Sequence, residues 1–311
     1  MRAIGMVPAV LAGLLSLAGC DIDGFNVTGG RFSKDFHYSY PLKADGRISI
    51  ETFNGAVELS GWDQNTVDVS GTKFAPSPES ADALRIEATN SPDSVSLRVV
   101  RPSDLRGGWG ARFFVKMPRQ AMLDLIKTSN GEIRVTDGAG PARLRSSNGS
   151  IRVQGLTGPV DAQTSNASVE LLDVAGEAVV RTSNGRVHAD NLKGPLEANT
   201  SNAGITATLA AATAGRALRL ETSNGGVDVT LPAKFDNDVR IGTSNAPITL
   251  HMPFEVNARV SARTSNASVT SDFEVRMQGE IRKSHLDGVI GNGGPLLDLN
   301  TSNGSIRLLK M

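Results

Sequence analysis

One four-residue phrase, Thr-Ser-Asn-Gly, recurs along most of this chain and limits what the chain can fold into. Its copies centre on Asn130, Asn148, Asn166, Asn184, Asn202, Asn224, Asn245, Asn266 and Asn303. Ser146 replaces Thr in one copy, and Ala replaces Gly after Asn166, Asn202, Asn245 and Asn266. A looser copy, Thr52-Phe53-Asn54-Gly55, stands earlier. From Asn130 to Asn202 the asparagines are 18 residues apart, and the next three intervals are 22, 21 and 21. A period near 20 residues is the mark of a solenoid, in which each repeat is one coil stacked on the last.

The residues around each asparagine say what kind of coil this is. Aliphatic residues stand four before it (Leu144, Val180, Leu220) and, in all but the first copy, six before it (Ala142, Val160, Leu218). Others stand three after it (Ile151, Val187, Val227) and five after it (Val153, Leu171, Val229). Apolar residues two apart on both sides of a turn are two short strands, each with one face inward. The expected fold is therefore all-β: a single-chain parallel β-helix, or β-solenoid, with 18–22 residues per coil. Gly or Ala after Asn suits the corner, where Gly and Asn most easily adopt left-handed backbone.

Nine Ser-Asn pairs invite a catalytic reading, but a hydrolase needs one activated nucleophile beside one base. Counting by two from the aliphatic positions puts Thr and Asn inside and Ser outside. The nine asparagines, Asn130 to Asn303, are then expected to form a structural ladder in which each amide meets the next.

The first residues read as a targeting segment. Met1-Arg2 is followed by an apolar run from Ala3 to Ala18, the order of a secretory signal spanning 1–19. Leu17-Ala18-Gly19-Cys20 resembles the bacterial lipobox, which implies cleavage before Cys20 and acylation of its thiol. Cys20 is the only cysteine, so no disulfide competes for it. More than one acyl chain gives stable anchoring, and the membrane is thus one expected partner. Asp21 resembles the sorting signal that keeps a lipoprotein in the inner membrane, which favours the periplasmic face of that membrane over the outer one. Residues 20–35 read as a tether.

Residues 36–120 alternate less regularly. Strands are expected at 47–52, 56–59, 67–70, 84–87, 95–100 and 112–117, with loop excursions at 75–83 and 101–110 and a short helical turn near Ser80. These read as coils that continue the stack and cover its first rung, with a separate small β-domain as the alternative. Residues 121–311 are the regular repeats.

Charge balances to zero over 32 basic and 32 acidic residues, which gives no global field for nucleic acid. His37, His188, His251 and His285 are far apart, no cluster has metal-ligand spacing, and no cofactor motif is present. One candidate ligand surface remains. Lys127, Arg134, Arg143, Arg145, Arg152 and Arg181 all fall on outward strand positions of adjacent coils, and stacked they would make a basic stripe for an anionic glycan, phosphate or acidic protein.

The coils, the early Asn54-Gly55-Ala56-Val57-Glu58-Leu59-Ser60-Gly61-Trp62 and the closing segment from Gly288 to Leu308 resemble the bacterial putative-adhesin family over Ser39 to Leu309. That resemblance implies a right-handed β-helix in an envelope protein and supplies no catalytic residues. The function expected is a non-enzymatic, membrane-anchored envelope lipoprotein that presents a β-solenoid for binding or scaffolding. The alternatives are a polysaccharide-active β-helix enzyme and a self-assembling envelope protein. The last would pair through the coil 297–308, which looks uncovered at the end of the chain.

Overall fold

The computed structural model describes residues 26–28, 31–100, 108–211, 216–277 and 282–311. Two 14-stranded sheets face each other across one core. Each coil contributes one strand to each sheet, and the Thr-Ser-Asn corner joins them. Ala142–Arg145, for example, lies in one sheet and Ile151–Gln154 in the other. We call the sheet with Ile151–Gln154 sheet A and the sheet with Ala142–Arg145 sheet B.

The repeat spacing becomes register. In sheet A, Ile133, Ile151, Val169, Val187, Ile205 and Val227 are successive parallel partners. In sheet B, Leu144, Ala162, Val180 and Ala198 follow one another in the same way. All of these are buried. Like therefore stacks on like inside, each buried Val, Leu or Ile contributing about 1.5–3 kcal/mol, and a one-residue slip would turn the whole set outward. At the second corner a left-handed position recurs every 18 residues, at Asp137, Gly155, Asp173 and Asn191, with φ between 54° and 66°. Asp, Asn and Gly are the residues that reach this region most easily.

The coils are not stacked in sequence order. Eleven parallel rungs run through both sheets, and the order is broken once near each end. Arg47–Glu51 lies between Ser94–Val100 and Met122–Lys127, and Val57–Trp62 lies between Gly110–Pro118 and Ile133–Thr136. At the other end Leu296–Asn300 and Ile306–Lys310 fill the place between the rungs 239–252 and 258–271.

This corrects the expectation that 297–308 is the open end. The coil last in sequence is interior, and the last strand pair in space is Ala258–Arg263 with Val269–Ser271. On sheet B that end continues into antiparallel His285–Ile290 and Val275–Met277. Among the described residues sheet A ends there at Val269–Ser271, a strand of only three residues, and short edges are one way natural sheets limit unwanted pairing.

The segment 36–120 belongs to the same two sheets, though only part of it is coil. The rung 47–62 joins the stack, and so do the strands Ser94–Val100 and Gly110–Pro118. Thr66–Ala75 and Arg31–Pro41, by contrast, extend sheet A antiparallel, and Arg85–Ser91 does the same to sheet B. Because Arg31–Pro41 is a strand, ordered structure begins inside the expected 20–35 tether. The expected helical turn is Pro78–Ala83, capped by Ser77, whose hydroxyl accepts the Ser80 N–H at 3.2 Å. Among the described residues no helix is long and apolar enough to cross a membrane.

Candidate ligand-binding surface

At each corner three polar residues do three different jobs. The Thr, or Ser146 in its place, points inward and is only 2–8 % exposed in every one of the nine copies. Thr182 shows the pattern. Its Oγ1 accepts the N–H of Gly185 at 3.1 Å and donates to the carbonyl of Ala167 on the preceding coil at 3.2 Å. The Ser carbonyl then receives both backbone N–H groups of the next corner, as Ser165 does from Ser183 at 3.1 Å and Asn184 at 2.9 Å.

The asparagines form the expected ladder, but on the outside. Asn148 donates its amide to Asn130, Asn166 to Asn148, Asn184 to Asn166, and Asn202 to Asn184, at 2.6–2.7 Å. Asn224, Asn245, Asn303 and Asn266 continue it in that order at 2.6–2.8 Å. Asn130 donates to Asn54, whose own amide ends the run on the Trp109 carbonyl at 2.7 Å. All nine repeat asparagines are exposed. The expectation of inward Asn fails because alternation by two holds only within a strand. Once Thr has turned in, Ser and Asn both ride the outer rim of the bend.

The six cations do not make one stripe. Arg134 and Arg152 stand on the outer face of sheet A, whereas Lys127, Arg143, Arg145 and Arg181 stand on sheet B. Four of them meet carboxylates. Arg134 reaches Glu132 at 3.1 Å, Arg152 reaches Glu170 at 2.6 Å, Arg181 reaches Glu197 at 3.2 Å, and Arg145 binds Asp161. Both faces are thus mixed in sign.

Lys127 is outside any ion pair among the described residues, and so is Arg143. Arg143 borders a cleft of 460 Å³ along the start of the sheet B strands, lined also by Asp124, Pro141, Pro159, Asp161 and Val179. Glu177 links this cleft to a second of 410 Å³ that holds Arg219 and Arg240. Those two arginines are register partners, both exposed and likewise outside any ion pair among the described residues. The sequence reading missed them. The signal was there: each stands five residues before its asparagine, as Arg143 stands five before Asn148.

Three histidines each face one aspartate. His37 meets Asp68, His251 meets Asp228 at 3.3 Å, and His285 meets Asp287 at 2.6 Å. Among the described residues no three His, Cys, Asp or Glu side chains converge as metal ligands would. Cys20 and Asp21 lie outside the described residues.

The family described as Toastrack DUF4097 matches residues 47–309. No curated protein matches the chain. Among solved structures, a putative adhesin from Bacteroides fragilis is 15 % identical, with 89 % of this chain and 97 % of that one covered and a TM-score of 0.41. A putative cell adhesion protein from Clostridium sporogenes is 11 % identical, with 89 % and 100 % covered and a TM-score of 0.24.

Proposed function

The chain belongs to the Toastrack DUF4097 family, and on that premise we propose that it is a non-enzymatic envelope protein, anchored through acylated Cys20, that holds a β-solenoid out as a binding surface. The observation that carries this reading is the fate of the repeated polar residues. Thr, Ser and Asn are spent on holding one corner to the next, so the insistent part of the sequence is framework. What varies from rung to rung is the outward face, where Arg143, Arg219 and Arg240 keep their charges available beside linked clefts. A rigid face with unspent charge is suited to recognition. The inner membrane is the favoured location, through Asp21.

Crosslinking the protein in its own envelope, followed by fractionation, tests the proposal. Wild type is expected in the membrane fraction with a crosslinked envelope component, and Cys20→Ser in the soluble fraction. A Cys20→Ser chain that stays with the membrane contradicts the anchor. Turnover of a uronate-containing glycan that vanishes on mutating a paired carboxylate contradicts the non-enzymatic role.

A further inference from the structure

The aromatic residues are distributed unevenly. No Phe, Tyr or Trp occurs between residues 115 and 234, so the coils of that stretch carry none on either face. Yet Phe114, on the outer face of sheet A, is 44 % exposed. Its strand is interior to the sheet, with Glu58 as its register partner on one side and Ser70 on the other. One step along the same strand Lys116 lies between Ser60 and Asp68, and its ammonium is 5.8 Å from the centre of the Trp62 ring. Arg134 stands one rung beyond Glu58. Phe114, Lys116, Glu58, Asp68 and Arg134 all border a cleft of 320 Å³.

Core packing does not require this ring, because the residue on the inner side of the same strand, Phe113, is already fully buried. The charged groups lining the cleft beside Phe114 are two carboxylates and two cations, of which Arg134 also meets Glu132 and Asp68 also meets His37. Their charges cancel, so the site offers no net attraction to a polyanion. It is also too polar at the rim for an apolar helix.

We propose that this patch binds a neutral glycan, with the C–H face of one pyranose ring on Phe114. The π-face of an aromatic ring is electron-rich and attracts weakly positive C–H groups. The carboxylates of Glu58 and Asp68 accept from sugar hydroxyls, while Lys116 and Arg134 donate to them. Such charge-assisted bonds are stronger than neutral ones and fix orientation. Rungs repeat every ~4.8 Å, so a glycan lying across them from Phe114 meets Glu58 and then Arg134 on the next two rungs.

This inference rests on the proposed surface-binding role, and it is tested separately from it. The full chain is applied to an array of neutral hexose and N-acetylhexosamine oligosaccharides beside uronate polymers. Wild type is expected to retain at least one neutral oligosaccharide, and to keep it when salt is raised to about 0.5 M, because charge screening does not touch a ring contact. Phe114→Ala is expected to weaken that binding by about tenfold and Phe114→Trp to preserve it, while Phe254→Ala, at an exposed ring elsewhere, changes nothing. Because a misfolded variant would mimic the loss, Glu58→Gln serves as a second probe that leaves the ring in place and is also expected to weaken binding. Retention of uronates alone, no retained glycan at all, or wild-type binding by Phe114→Ala overturns the inference. A chain that crosslinks to an envelope protein yet retains no neutral glycan defeats this inference and leaves the binding role standing.

Discussion

At the scale of the residue, Thr182 ties its own turn to the coil below with one hydroxyl. Replacing it with Val keeps the shape but leaves the Gly185 N–H and the Ala167 carbonyl without that partner. The expected loss is about 1–3 kcal/mol, measured by urea denaturation. Thr182→Ser should cost only about 1 kcal/mol, chiefly one buried methyl, because Ser146 performs the same task at 2.9 Å from the Gly149 nitrogen. Equal losses in the two variants would show that the hydroxyl is idle.

A second residue-level effect belongs to pH. Burial works to raise the Asp287 carboxyl, but hydrogen bonds from Ser261 and His285, with the charges of His285 and Arg263, outweigh it and hold the pKa below the usual 3.8. A lowered folded value means that the contribution is present above the unfolded pKa and lost as pH falls through the folded one. Asp287→Asn should therefore flatten the stability profile below about pH 4. A slope identical to wild type there would contradict the assignment.

At the scale of the element, the corner residue after Asn follows a rule that only the spatial order reveals. Along the axis from Gly149 the series runs Gly149, Ala167, Gly185, Ala203, Gly225, Ala246, Gly304, Ala267, an unbroken alternation. In sequence order it breaks, because Ala246 is followed by Ala267. The geometry gives the reason for glycine. A Cβ on Gly185 would sit 1.6 Å from the Ala167 carbonyl oxygen, and one on Gly304 would sit 1.8 Å from that of Ala246.

Gly304→Ala is accordingly expected to cost about 3 kcal/mol by overpacking. Ala246→Gly, which only adds backbone freedom, should cost about 0.5–1 kcal/mol. Denaturation midpoints that move equally would show that the corner has room to spare.

The coils themselves were legible from spacing, and the aliphatic positions read from the sequence are the buried ones, except half-buried Val269 on the last rung. The order of the coils was not. Each strand pairs equally well by pattern with several others, and local periodicity says nothing about which coil is inserted where. The outward asparagines were misread for a related reason, since a bend interrupts the alternation that a strand obeys.

At the scale of the whole molecule, the solenoid separates framework from surface. The corner ladder runs through ten asparagines from Asn54 to Asn266, while the two outer faces carry the charges. A basic stripe could not survive this arrangement. Residues before the corner face out from sheet B and residues after it face out from sheet A, so Arg145 and Arg152 are close in sequence and on opposite sides of the molecule. The sequence showed that these positions point outward, and the sheet to which each belongs had to come from the fold. The same holds for Phe114, whose exposure depends on Thr66–Ala75 and Val57–Trp62 closing on either side of its strand.

The central claim is that one continuous ladder orders the coils as Asn245, Asn303, Asn266, with the final coil threaded into an interior place. Paired cysteines test it most directly, in a chain with Cys20 replaced by Ser. Neighbouring rungs bring Cα atoms within disulfide range, about 4.4–6.8 Å, and rungs two apart do not. Asn245→Cys with Asn303→Cys should therefore oxidise to an intramolecular disulfide, and Asn245→Cys with Asn266→Cys should stay reduced. A disulfide between positions 245 and 266, with none between 245 and 303, would mean that the coils stack in sequence order and would contradict the account.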